Sequence, residues 1–271
     1  IITKAGGTIT TGADVSSIDI ERGSARSVTL TDGRVIDADI VVANSDYHHV
    51  ESVLLPKESQ SLDQNYWSKK RPAPSAAILY LGIRGEAPML EHHTLLFPDD
   101  WDLSFSELFH GHSLPTDPRI YVSCPSKTDP TVAPSGHTNL FILMPCPTGL
   151  TWTPDLKREC TERLLDILEQ SFSIDGVRDR VVVQRFYCGE AFSNDYCAWL
   201  GNALGGQAHT LSQSSFMRPP ARSRKVKNLF FVGAGTNPGI GMPMCLLSAE
   251  MLVKRLFKTG GPGLLKQLPR I

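Results

Sequence analysis

The sequence predicts an α/β chain in which one domain is interrupted by another, and three observations carry the prediction. Residues 1–44 read as β-rich, and residues 229–256 read as a strand, a glycine cluster and a helix. Between them the character changes, with long proline-rich loops separating short apolar strands, as in an α+β insertion. Segments 1–44 and 226–258 therefore belong to one domain, 45–225 is inserted in it, and 259–271 is a C-terminal tail.

The elements follow in order. Val15, Ile18 and Ile20 alternate loosely, as a half-buried strand does. TLTDGRVIDADIVVANS supplies a strand, a tight turn at Asp32–Gly33, and a second strand ending in the apolar run Ile40–Val42. Ser45 or Asp46 is placed to cap a helix through Val53–Leu55, which Pro56 ends. In the insertion, AAILYLGI and NLFILMP are the clearest strands. Its best helix is 155–170, DLKRECTERLLDILEQ. Thr153 suits the N-cap and Pro154 the first turn, and Leu164, Leu165, Ile167 and Leu168 form the buried stripe.

The closing segment, NLFFVGAGTNPGIGMPMCLLSAEMLVKRL from Asn228, carries the chemistry. Leu229–Val232 form a short apolar run, the pattern of a strand buried on both faces. Gly233, Gly235, Gly239 and Gly241 follow, where a missing Cβ permits positive φ and close approach of a ligand to the backbone. From Pro243 a helix begins, with Leu246, Leu247, Met251, Leu252 and Leu256 as its apolar stripe. Its unpaired N–H groups and positive dipole end favour a pyrophosphate or an electron-rich ring oxygen. A ligand-free turn has the same local sequence, and the dinucleotide fingerprint G-x-G-x-x-G is broken by Pro238. Gly201, Gly205, Gly206, Gly260, Gly261 and Gly263 also miss that spacing. The segment is a phosphate-facing turn without its usual first half.

Composition limits what the chain does. Its 271 residues are 41% apolar, enough for a real core, and 27 Lys+Arg against 28 Asp+Glu argue against nucleic acid as a partner. Six dispersed cysteines without a C-x-x-C pair read as buried thiols in a reducing compartment. No apolar run approaches the ~18 residues of a membrane span. The opening IITKAGGTITTGADV lacks an initiator Met and the regions of a signal peptide, and reads as the middle of a domain. His48–His49, His92–His93 and the pair His110 and His112 have poor chelate spacing, so no metal site is expected. Asp99 and Asp100 beside Trp101 read as a solvated loop, and the basic run Arg218, Arg222, Arg224, Lys225, Lys227 as a solvated face.

Gly233 to Pro243, GAGTNPGIGMP, resembles the closing motif Gly-Ala-Gly-Thr-His-Pro-Gly-x-Gly-x-Pro of bacterial and fungal phytoene desaturases. The approach SQSSFMRPPARSRKVKNLFFVG and the segment DGRVIDADIVVANSDYHHV are similar to that family as well. So are PSKTDPTVAPSGHTNLFILMPCP and HHTLLFPDDW, so the likeness extends over essentially the whole chain. Asn237 stands where histidine is common and Met244 where glycine is common.

The resemblance implies an incomplete Rossmann-like FAD/NAD(P)-binding domain with an inserted substrate-binding domain. It implies FAD as cofactor and desaturation of a carotenoid precursor such as phytoene as the reaction. Gly233, Ala234, Gly235 and Thr236 would face the ribityl and pyrophosphate region. Gly239, Ile240, Gly241 and Met242 would face the flavin ring, with Val15 near adenine. An N-terminal FAD-binding segment or subunit would supply the G-x-G-x-x-G turn. The insertion would hold a lipophilic polyene, and the enzyme would be cytoplasmic with peripheral membrane contact. The tail GGPGLLKQLPRI, with Lys266 and Arg270, is a weaker membrane candidate than a frayed terminus. No acid or base is assigned as catalytic. A carotenoid isomerase, saturase or oxygenase on the same scaffold, or a flavin-free module binding an apolar ligand or partner, are the alternatives.

Overall fold

A computed structural model of the chain describes residues 1–259 and 261; Lys266, Arg270 and nearly all of the expected tail lie outside the described residues. The first strands are β1 (Val15–Glu21), β2 (Ser24–Leu30), β3 (Val35–Asp37) and β4 (Val41–Ala43). Then come α1 (Tyr47–His49), α2 (Gln64–Trp67), β5 (Ser75–Arg84), β6 (His93–Leu96) and α3 (Trp101–His110). Next are β7 (Ile120–Ser123), β8 (His137–Cys146), α4 (Pro154–Gln170), α5 (Val177–Arg180), β9 (Val181–Tyr187) and α6 (Gly189–Tyr196). Finally β10 (Leu229–Phe231) leads to α7 (Met242–Phe257). Among the described residues, no helix is long and apolar enough to cross a membrane.

The chain divides into two compact units, residues 1–71 with the segment from 205 onward, and residues 72–204. The breaks fall at 71/72 and 204/205, inside the predicted insertion of 45–225. Hydrogen bonds explain the difference. Ser223 N–H donates to Leu229 O (3.0 Å), Phe231 N–H to Ala221 O (2.9 Å), and Arg71 N–H to Gln213 Oε1 (2.8 Å). Residues 45–71 and 205–225 are thereby tied into the first unit.

In that first unit β1, β2 and β3 form an antiparallel sheet. Gly33 takes φ +87° in the turn, and Asp32 Oδ2 accepts from Arg34 Nε at 2.8 Å. The single second strand expected after the turn is split in two. Val35–Asp37 stays with β2, whereas β4 leaves to pair in parallel with β10, Leu229 opposite Val41 and Phe231 opposite Ala43. Asp46 caps α1, accepting from His49 N–H at 3.1 Å, and the helix continues as wide turns through Leu54.

The second unit is built on an antiparallel five-stranded sheet of order β6-β7-β8-β5-β9. β8 alternates strictly, burying Thr138, Leu140, Ile142, Met144 and Cys146. Ala77, Leu79, Leu81 and Ile83 of β5 join them, and α4 packs Cys160, Leu164, Leu165 and Leu168 onto the same core. α4 begins as expected: Thr153 Oγ1 accepts from Leu156 N–H at 3.1 Å, and Pro154 fills its first turn. Burial lifts the Cys160 thiol to about 12, so it is an inert core group.

Candidate functional site

The candidate site is the turn that leaves β10. Val232 N–H donates to Ala43 O at 3.0 Å, which carries the parallel pairing up to Gly233. Gly233 has φ +94°, and a Cβ there would stand 2.5 Å from Asn44 Oδ1, so this position demands glycine. Its N–H donates to Ser248 Oγ at 2.7 Å, and the Ser248 hydroxyl donates to Cys245 O at 2.7 Å. α7 thus holds the start of the turn that precedes it.

The turn is packed from beneath. A Cβ on Gly235 would lie 2.9 Å from Tyr47 Cβ. The Tyr47 ring stacks on Phe231 with centroids 3.8 Å apart, and its hydroxyl donates to Pro220 O at 3.1 Å. Thr236 is fully buried and its hydroxyl donates to Pro219 O at 2.8 Å.

A buried guanidinium binds these pieces together. Arg218 is 3% exposed. Its Nε donates to Thr236 O (3.1 Å), Nη2 to Ala234 O (2.5 Å) and Nη1 to Gln207 O (3.3 Å). Burial draws its pKa below the usual arginine value, yet a guanidinium stays charged at neutral pH. Carbonyl dipoles meet that charge. Gly205 and Gly206 back the same turn: their Cβ atoms would stand 2.9 Å from Ala234 Cβ and 3.0 Å from Gly235 Cα.

His209 closes the far side. Ile240 N–H donates to its Nε2 at 3.2 Å, so that nitrogen carries no proton in this arrangement. Burial, then the Arg218 charge, hold the imidazole pKa below its usual value, which suits the neutral acceptor. Gly239, at φ +135°, lies against it, since a Cβ would come 2.8 Å from Nε2.

The remaining donors define what the turn can bind. Among the described residues, the N–H groups of Ala234, Gly235, Gly239 and Gly241 have no acceptor in the chain. They precede a 16-residue helix whose N-cap, Gly241 at φ +119°, offers no side-chain cap. A Cβ at Gly241 would meet just Met244 Cγ at 3.8 Å, so the approach is open. Backbone donors, a helix N-terminus and an uncluttered approach fit phosphate and ring-oxygen acceptors, the polar groups of a flavin nucleotide.

Gly233, Ala234, Gly235, Thr236, Gly239, Ile240 and Gly241 thus lie in the turn between β10 and α7, and Met242 opens α7. Val15 sits apart in sequence, in β1 opposite Leu30. The Ile240 N–H, expected to face a ring, points to His209 instead. Arg218, expected on a solvated face, is buried instead, and Gly205 and Gly206, set aside for their spacing, back the turn together with His209, which was not singled out in the sequence. The α7 stripe also differs from expectation. Leu252 is buried, but Leu246 and Met251 are 74% and 51% exposed.

The second unit offers an apolar face of its own. Tyr80, Gly82, Asn139, Phe141 and Val183 line a depression of about 420 Å³ on the five-stranded sheet. Its two rings, Tyr80 and Phe141, meet edge to face at 5.3 Å, and Tyr121 packs edge to face on Phe141 from outside the depression at 6.0 Å. His93 Nδ1 and Tyr121 Oη are hydrogen-bonded at 2.8 Å, and His92 Nδ1 meets Thr128 Oγ1 at 2.6 Å. Asp100 is a helix cap, accepting from Leu103 N–H at 2.9 Å at the start of α3. Asp99 donates its N–H to Asp117 Oδ2 at 2.6 Å.

Comparison with known proteins agrees with this architecture. The family described as flavin containing amine oxidoreductase matches residues 2–256. A carotenoid 3,4-desaturase of Haloarcula japonica is 41% identical over 255 residues, covering 94% of this chain and 51% of that protein. A lycopene-forming phytoene desaturase of Pseudescherichia vulneris is 31% identical over 260 residues, covering 92% and 51%. The chain spans about half the length of the curated relatives it matches. An oxidoreductase structure from Methanosarcina mazei shares the fold at TM-score 0.57 and 22% identity, over 93% of this chain and 51% of that one.

Proposed function

The chain belongs to the flavin containing amine oxidoreductase family, among its phytoene-desaturase-like members, and we propose that it forms part of an FAD-dependent carotenoid desaturase. One observation carries this reading: among the described residues, four N–H groups without an acceptor in a glycine turn between a buried parallel strand and the N-terminus of a long helix.

Converting a CH₂–CH₂ unit to CH=CH removes two electrons and two protons, and no side chain accepts a hydride. A bound flavin supplies that acceptor. The chain contributes binding and orientation. Within Gly233–Thr236, the Ala234 and Gly235 N–H groups are the donors that would hold the ribityl and pyrophosphate region, and within Gly239–Met242 those of Gly239 and Gly241 would lie toward the ring. Donors there would favour negative charge on a bound ring. Val15 is assigned to the adenine side.

An N-terminal FAD-binding segment or subunit completes the nucleotide site in this reading. Apolar surface on the strand and helix that flank the turn supports it: Val42 in β4 is 47% exposed, and Met242 and Leu246 in α7 are 83% and 74% exposed. The apolar depression around Tyr80, Phe141 and Val183 is the place for a lipophilic polyene. Such a substrate dissolves in bilayers, so the protein works in peripheral contact with a membrane.

The test is a visible spectrum of the chain purified alone and co-expressed with a G-x-G-x-x-G-bearing N-terminal segment. Flavin is expected in the co-expressed sample, and Gly239→Val or Gly241→Val should remove it while the five-stranded sheet stays folded. A folded chain without flavin in either sample overturns the reading in favour of a flavin-free binding module.

A further inference from the structure

At the far end of β10 from the glycine turn, the first unit carries a groove of about 460 Å³ lined by Arg222, Arg224, Lys225, Lys227 and Arg255, with Pro220, Ser223 and Val226. Lys227 lies just before β10, and Arg255 lies in the last turn of α7. Both elements that begin or end at the candidate flavin turn therefore reach the groove with their opposite ends.

The groove is held in place. Arg222 donates from Nε and Nη2 to Lys227 O at 3.2 and 3.0 Å, with the Phe230 ring 6.0 Å from its guanidinium. Ser223 Oγ accepts from the N–H groups of Lys225 (3.3 Å) and Val226 (3.1 Å). Arg224 N–H donates to Ser61 Oγ at 3.0 Å, and Lys227 N–H to Gly23 O at 3.0 Å. The loop's shape is fixed by backbone bonds, which leaves its cationic ends turned to the groove.

Among the described residues those charges form no ion pair: none of the pairs includes Arg222, Arg224, Lys225, Lys227 or Arg255. Glu51, the carboxylate that feels Lys225 across the loop, is buried and commits Oε2 to the N–H groups of Ser61 and Leu62. Five like charges gathered around one concavity repel each other, and a bound anion relieves that repulsion. Guanidinium forks among ammonium groups match the tetrahedral oxygens of a phosphate.

We propose that this groove binds phosphate-bearing anions, and that its ligand is the headgroup of anionic membrane lipids. The lipid source rests on the reading above, in which the substrate is drawn from a bilayer. Nucleic acid would also present phosphates, but a chain of net charge −1 is a poor polyanion binder outside this one patch.

The experiment is co-sedimentation of the full chain with phosphatidylcholine vesicles, with and without phosphatidylglycerol, across a sodium chloride series. The comparison variant is the triple substitution Arg224→Gln, Lys227→Gln, Arg255→Gln. It alters side chains that make no hydrogen bond among the described residues, and circular dichroism checks its fold. Binding should require phosphatidylglycerol, fall with salt, and weaken about a hundredfold in the triple variant. Equal binding to both vesicles, or no effect of the variant, overturns the proposal. Titration with inorganic phosphate and with a single-stranded oligonucleotide separates the other sources. Either one binding more tightly than the anionic vesicles overturns the lipid assignment. Flavin retention, read in the co-expressed sample, depends on the other end of β10. Its loss with vesicle binding intact would count against the desaturase reading and leave the groove standing.

Discussion

Replacing Arg218 with methionine tests whether one buried guanidinium holds the glycine turn together. Methionine keeps the apolar stem, though it ends two bonds short of the guanidinium tips, and it removes every donor, leaving the carbonyls of Thr236, Ala234 and Gln207 without their present bonds. A buried orphaned carbonyl costs about 1–3 kcal/mol. Taking the low end for each, because relief of a desolvated charge works the other way, gives a loss of about 3 kcal/mol. With a urea slope of about 3 kcal/mol/M, the midpoint of the first unit should fall by about 1 M. Pulsed hydrogen exchange along a urea series, read on peptides from 229–241, follows that unit and not the five-stranded sheet. Arg218→Lys should fall between wild type and Met, since an ammonium lacks the planar fork that spans three separated carbonyls. A midpoint unchanged in Arg218→Met would refute the reasoning. Full recovery in Arg218→Lys would show that charge, rather than the fork, is what matters.

Two titrating groups in the same unit predict opposite slopes of stability with pH. Burial holds Glu51 above the usual carboxyl range, so its contribution is fully present below the unfolded pKa near 4.5 and is lost as pH rises through the folded value. Glu51→Gln keeps an acceptor for Ser61 and Leu62 and should flatten that slope, with a gain of about 1 kcal/mol at pH 7 in urea melts. A variant with unchanged pH dependence would show that Glu51 is not the group responsible. His209 is depressed by burial and by Arg218, so its neutral form is favoured and stability is lost as pH falls from 6.5 through the folded pKa. His209→Asn offers a non-titrating acceptor for Ile240 N–H and should remove that acid-side loss, seen as slower exchange of the Ile240 amide at low pH than in wild type. Equal exchange in both proteins would disconnect His209 from the turn.

What was legible in the sequence was what a short stretch decides by itself. α4 has its cap, its proline and its apolar spacing within one segment, and β8 writes its two faces as strict alternation. Gly233, Gly239 and Gly241 were legible for the same reason, since positive φ is a local demand, whereas Gly235 answers to the distant Tyr47. Contacts between distant segments were not. The apolar run Ile40–Val42 looks like the end of the Asp32–Gly33 hairpin, whereas β4, which overlaps it, finds its partner β10 beyond the whole second unit in sequence. The stripe on α7 could be counted, but a count of leucines does not say which of them meets a neighbour.

The basic run before β10 shows why charge in particular resists reading. As a string, Arg218, Arg222, Arg224, Lys225 and Lys227 are alike, and a solvated face is the simplest home for all five. The backbone divides them. Arg218 turns inward because the carbonyls of Ala234, Thr236 and Gln207 converge on one point, and only a fork of donors satisfies carbonyls so arranged. From Arg222 onward the loop spends its own N–H groups on Ser223, Ser61 and Gly23, and the side chains are left facing outward together. One end of the run thus fixes the geometry of the glycine turn, and the other gathers positive charge at the opposite end of the same strand. A strand that links the two in one pairing gives the glycine turn and the basic groove a fixed spacing, which neither run of residues specifies alone.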